Sequence, residues 1–201
     1  MKYTKATART LYLTGSSYEI GYRLGDVISK DTVWRRKCVS HNNKMNQNRL
    51  EKINSLLDIW CPGLCDELKG IADALHVEPK DLYFYHMTHL VPNCSQIAVC
   101  SSITKEKKPL LARNFEFSDE IEDFTLIKTS VTGKHTHMGT SILGAGRDDG
   151  INEYGLAVTM TSCGIPVVDL PYMKTPCIEG LQYWIVVRAV SYTHLRAHET
   201  A

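Results

Sequence analysis

Helix-period patterning in the first third of the chain, followed by closely spaced short apolar runs, predicts an α+β fold: an antiparallel sheet flanked by helices. Two observations carry that prediction. Up to Leu90, apolar residues recur three and four positions apart, behind residues that cap helices. After Pro92 they gather in short runs separated by turn formers. No internal repeat and no low-complexity linker is present, and 201 residues suit one large domain or two small ones.

Thr10 to Thr14 alternates as a short strand, which Gly15 ends. Ser16, with Glu19 three residues on, forms a capping box that starts a helix near Ser17. Ile20, Leu24, Val27 and Ile28 share a face of it, and Gly21 and Gly25 leave room for a close neighbour. A polar helix follows over Asn46 to Trp60. Pro62 suits the first turn of the next helix, which carries Leu64, Leu68, Ile71 and Leu75 on one face. Pro79 starts another, leading into Asp81 to Leu90.

Beyond Pro92, Ile97 to Thr104 and Pro109 to Phe115 read as a hairpin with Lys105-Glu106-Lys107-Lys108 at its tip. Phe124 to Val131 and Thr136 to Leu143 form a second hairpin around Gly133-Lys134, and Gly155 to Thr161 is a further strand. Asp148-Asp149-Gly150 lacks the remaining ligands of a calcium loop and reads as a turn. Ile178 to Val190 is expected to be a buried helix. Ser191 to Ala201 then turns polar and does not continue the face of Leu181, Trp184 and Ile185. It resembles a translated sequencing adapter, so residues 191–201 are expected to be a non-native tail on a fragment.

The formal charge of +1 and the lack of long basic runs imply neither nucleic acid nor anionic membrane as a partner. No stretch approaches the ~20 apolar residues of a membrane span. The first residues, Met1 to Ser17, have no apolar core of a signal peptide, so the default location is the cytoplasm. Seven cysteines at irregular spacing fit reduced thiols better than a disulfide framework, and Cys61 and Cys65, one helical turn apart, suit packing. His86-Met87-Thr88-His89 with Cys94 and Cys100 has residue types that suit zinc, but the spacing matches no usual finger and helix packing is preferred. No metal and no cofactor is expected.

With residues 105–108 as the hairpin tip, Thr104 pairs with Pro109, Ser102 with Leu111 and Cys100 with Arg113. Directly opposed side chains share a face of the sheet at ~5 Å. The arginine would then favour a thiolate on Cys100 and could hold a substrate carboxylate or carbonyl. The same residues are compatible with a buried core cysteine and a surface arginine, and the pattern alone leaves both readings open.

Cys100-Ser101-Ser102-Ile103 followed by Ala112-Arg113-Asn114-Phe115-Glu116 resembles the start of mature choloylglycine hydrolases and of acyl-coenzyme A:isopenicillin N acyltransferase-like proteins. Gly15 to Gly21, Glu67 to Ala72 and Asn152 to Val158 are similar to stretches of the latter group, in the same order. The resemblance implies an N-terminal-nucleophile (Ntn) hydrolase with a four-layer αββα sandwich, incomplete here. Residues 1–99 would be a mostly helical pro-segment and residues 100–190 the N-terminal part of the catalytic domain. It also implies self-cleavage between Val99 and Cys100, after which the new α-amine serves as base for Cys100. Arg113 and Glu116 would stand beside the nucleophile, and Asn114 and Thr161 at the substrate. Glu116 replaces the aspartate of the pattern, and the strand Thr159 to Ser162 lacks its oxyanion asparagine. The expected reaction is hydrolysis or acyl transfer on a linear, non-peptide amide through a Cys100 thioester. The expected partner is a small-molecule acyl amide, and a homo-oligomer is compatible with the sequence. A non-catalytic, unprocessed binding protein on the same fold is the alternative. Cys94, in the similar segment Asn93-Cys94-Ser95, is the competing nucleophile.

Overall fold

In the computed structural model, residues 8–40, 45–86, 94–116, 122–147 and 149–159 are described, and they stack as helices, a central sheet and an outlying hairpin. Strand β1 (Arg9–Gly15) runs parallel to β4 (Glu122–Val131), in register from Arg9↔Thr125 to Gly15↔Val131. β4 turns back through Gly133, at φ 76°, onto β5 (His137–Ile142). The short β6 (Gly146–Arg147) pairs with β5. β7 (Asp149–Asn152) and β8 (Ala157–Thr159) complete the sheet in the order β1-β4-β5-β7-β8. All pairings are antiparallel except that of β1. The helices between β1 and β4 bring the chain back in the same direction, which a tight hairpin cannot do.

One face of this sheet is sealed: Leu13, Thr125, Ile127, Thr129, Val131, His137 and Ser141 are all buried. Alternation sends Tyr12, Leu126 and Ile151 to the other face, where they are exposed. The buried face meets α1 (Ser17–Ser29) and α4 (Leu64–Leu75), with α2 (Thr32–Cys38) and α3 (Gln47–Trp60) completing the helical layer. The expected capping box is present, with Glu19 N on Ser16 Oγ and Ser16 N on Glu19 Oε2. Leu64, Leu68, Ile71 and Leu75 are buried as their spacing predicts. Among the described residues, no helix is long and apolar enough to cross a membrane.

The glycine spacing of α1 has a structural cause. A Cβ on Gly21 would lie 2.0 Å from the Glu67 carbonyl oxygen, and one on Gly70 would lie 2.3 Å from that of Tyr18. The backbones of α1 and α4 therefore touch where only hydrogen fits between them.

Three expectations change. Pro79 begins 3-10 turns at Pro79–Asp81 and Tyr83–His86, where a continuous helix was expected; residues 87–90 lie outside the described set. α2 was unanticipated because its seven residues bury only Trp34 and Cys38, too few for a visible period. Asp149 belongs to β7, not to a turn. The helix expected at 178–190, the tail at 191–201 and Thr161 lie outside the described residues.

Asp123 ties the layers together from a buried position. Its Oδ2 accepts from Trp34 Nε1 at 3.1 Å, Ser141 Oγ at 2.8 Å and Gly144 N at 2.9 Å. Its Oδ1 accepts from Thr125 N at 3.2 Å. Burial pushes the carboxyl above its ordinary 3.8, against the pull of these donors and of the Arg147 charge.

Two tests follow from the packing. Gly21→Ala drives a methyl into backbone that cannot rotate away, so it should cost about 1–3 kcal/mol, read as a lower melting temperature. An unchanged melt would mean that α1 and α4 do not meet along this line. For Asp123, the folded state keeps a proton above pH 3.8 that the unfolded state has lost. The residue's contribution to stability should therefore fall as pH rises from 3.8 through the raised folded value. The melting temperature of wild type minus that of Asp123→Asn should decline across that acidic window; a flat difference would remove Asp123 as its source.

Candidate active site

Hairpin β2–β3 is built from β2 (Ser95–Val99) and β3 (Leu110–Asn114), paired Ser95↔Asn114, Gln96↔Arg113, Ile97↔Ala112, Ala98↔Leu111 and Val99↔Leu110. This register overturns the pairing of Cys100 with Arg113. Cys100 lies just past the end of β2 and is exposed, with its carbonyl accepting from Ile103 N at 3.2 Å in a turn. The reason is the connection, which is wider than a four-residue tip. Buried Thr104 donates to the Lys108 carbonyl at 2.7 Å, and Lys107 adopts φ 53°, so residues 100–109 form a loop with its own internal bonds.

The register hands Arg113 a different cysteine. Alternation puts Cys94, Gln96, Arg113 and Phe115 on one face of the hairpin. Arg113 Nη2 lies 3.3 Å from Cys94 Sγ, and its guanidinium stacks over the Phe115 ring at 4.8 Å. Its other terminal nitrogen, Nη1, reaches Asp149 Oδ2 at 3.3 Å, with the arginine side chain only 5% exposed. Asp149 Oδ1 accepts from Thr140 N at 3.2 Å and Thr140 Oγ1 at 2.5 Å. Thr159 Oγ1 donates to Gln96 Oε1, a second link from the hairpin to the sheet. The hairpin thus sits over the β5–β7–β8 end of the sheet, on the face away from the helices.

Asn114 and Glu116 are found elsewhere. Asn114 Nδ2 donates to Glu116 Oε1 at 2.6 Å, and both side chains are exposed. By strand alternation Asn114 lies on the face opposite Arg113, and Glu116 is bonded to it there. The structure therefore brings Arg113 together with Cys94 and Asp149, and it does not bring Glu116 or Cys100 into that contact. Val99, expected to precede the cut, is the last residue of β2.

The thiols differ sharply in character. Burial holds the Cys38 thiol well above its ordinary range. Burial, then a hydrogen bond with Asp58, pushes Cys65 up to about 12. Both are poor nucleophiles near neutral pH. Cys94 differs from both in its neighbour, the Arg113 guanidinium at 3.3 Å from its sulfur. Sequence reasoning weighed Cys94 but missed Asp149, whose place depends on a long-range ladder. The only advance signal for Cys94 was a second cysteine–serine pair six residues upstream of the first. Among the described residues no group of three or more His, Cys, Asp or Glu could hold a metal. His86 Nε2 lies 3.2 Å from the Lys80 carbonyl, and His89 is outside the described residues.

No curated protein matches the chain. A family model does match, and its span begins at Ile103, so it includes Arg113 and Asp149 but neither Cys94 nor Cys100. Over residues 103–194 the chain matches the model of the family described as Acyl-coenzyme A:6-aminopenicillanic acid acyl-transferase, a family of the Ntn hydrolase superfamily.

Proposed function

We propose that the chain is a self-processing cysteine acyl-transfer enzyme acting on small linear amides, with Cys94 as its nucleophile in place of Cys100. The observation that carries this reading is the 3.3 Å contact between Arg113 Nη2 and Cys94 Sγ. The family match supports acyl transfer as the chemistry.

In the first step the Cys94 sulfur attacks the carbonyl carbon of the preceding residue, Asn93. The acyl group passes from nitrogen to sulfur, water hydrolyses the thioester, and Cys94 is left with a free α-amine. With substrate, the thiolate attacks the amide carbonyl and the carbon–nitrogen bond breaks. The α-amine takes the thiol proton and passes it to the leaving nitrogen. Water or an acceptor amine then attacks the thioester and releases the acyl group, restoring the thiol. Arg113 holds the sulfur's negative charge, and its ring stack on Phe115 fixes the plane of the fork.

Intact mass separates the two cysteines. The purified chain should appear as pieces 1–93 and 94–201; Cys94→Ala should remain one chain, and Cys100→Ala should still be cut. Loss of processing in Cys100→Ala alone would return the nucleophile to Cys100. A wild-type chain that stays whole would favour the unprocessed binding protein.

Arg113→Lys keeps the charge but cannot contact Cys94 and Asp149 with two nitrogens of one plane. Processing and amide turnover should fall roughly 10-fold or more, with little change in melting temperature. A lysine variant that melts much lower yet processes at the wild-type rate would make the arginine structural.

A further inference from the structure

We propose that Asp149 is a positioning residue, which anchors the Arg113 guanidinium so that its free edge faces the Cys94 sulfur. The proposal rests on Cys94 being the nucleophile and adds a role for a residue that would otherwise be one more sheet position.

The geometry is that of a relay of fixed groups. β5 and β7 pair as His137↔Asn152 and Met138↔Ile151, and continuation of that register sets Thr140 opposite Asp149. Thr140 spends its amide and its hydroxyl on one carboxylate oxygen, Oδ1. That fixes the carboxylate rotamer and turns Oδ2 toward the hairpin, where Arg113 Nη1 meets it at 3.3 Å. With Nη1 held there and the ring of Phe115 beneath, only Nη2 is aimed at Cys94. A nearly buried guanidinium without its carboxylate would be an uncompensated charge, and its cheapest escape is to rotate toward water and away from the sulfur. Asp149 therefore touches no reacting atom and acts through Arg113.

The test is a double-mutant cycle read on the sulfur itself. Wild type, Asp149→Ala, Arg113→Met and the double variant of the 201-residue chain are labelled with iodoacetamide at pH 7. Labelling of Cys94 is followed by peptide mass, with exposed Cys100 as the internal standard. Each single variant should slow Cys94 labelling on the order of 10-fold relative to Cys100, because the thiolate loses its cation. The double variant should be no slower than Arg113→Met alone. Asp149→Asn keeps the side-chain volume and an acceptor oxygen for Thr140 but turns a donor NH2 toward the Arg113 donor, so it should slow Cys94 labelling about as much as Asp149→Ala does, and it guards against a folding defect. Additive losses in the cycle, or a wild-type Cys94 rate in Asp149→Ala, would overturn the positioning role. If Arg113→Met leaves Cys94 labelling unchanged, or if processing depends on Cys100 alone, it is the Cys94 assignment that fails, whatever Asp149 does.

Discussion

The buried carboxylate of Asp123 is the point on which the other parts of this structure hang. Trp34 of α2, Ser141 of β5 and the backbone of Gly144 all donate to one of its oxygens. A carboxyl so placed is costly to desolvate, and removing it would leave its donors unpaired at a further cost, so the helical layer, β5 and the turn after β5 are tied to one arrangement. Ser141 is the neighbour of Thr140, and on a strand neighbours face opposite ways. Fixing Ser141 inward fixes Thr140 outward, and Thr140 holds Asp149. The chain of constraint runs from the core, through one strand, to the charge beside the sulfur.

That arrangement sorts the thiols by environment, with little help from the residues next to them in sequence. Cys38 and Cys65 lie in apolar surroundings or beside a carboxylate, which keep them protonated and inert. Cys94 is partly accessible and touches the guanidinium of Arg113. Placing the cation on the adjacent strand, with its own counter-ion on the sheet below, lets a positive charge stand almost buried near the sulfur without leaving the fold to bear an unpaired ion.

What could be read from the sequence was local. The Ser16–Glu19 capping box, the apolar face of α4 and the Gly21–Gly25 spacing each depend on residues within a few positions, and each is found. The hairpin was legible as a hairpin, and Arg113 as its functional arginine candidate. Its register was not, because Thr104 and the residues around it close a loop whose bonds no turn motif announces. A shift of four residues kept the face but exchanged one cysteine for another. Asp149 was invisible for a different reason: β7 is four residues long and its meaning comes from a partner strand and from Arg113, 36 residues away. The parallel pairing of β1 with β4 was likewise beyond reach, since no pattern within either strand records its direction.

β1 carries a further consequence. Its seven residues lie in full register beside β4, and Leu13 joins the core beneath them. A cut ahead of Cys94 would separate β1 from β4 covalently while leaving every bond of the ladder in place. The upstream piece would then be a permanent subunit, wedged into the sheet, and no longer a leader to be discarded. Before the cut the two strands find each other as parts of one chain; after it, refolding requires two molecules to meet and bear the entropy of association. A protein cut in this way would have folded as one chain, and its processed form, once denatured at low concentration, would have no easy route back.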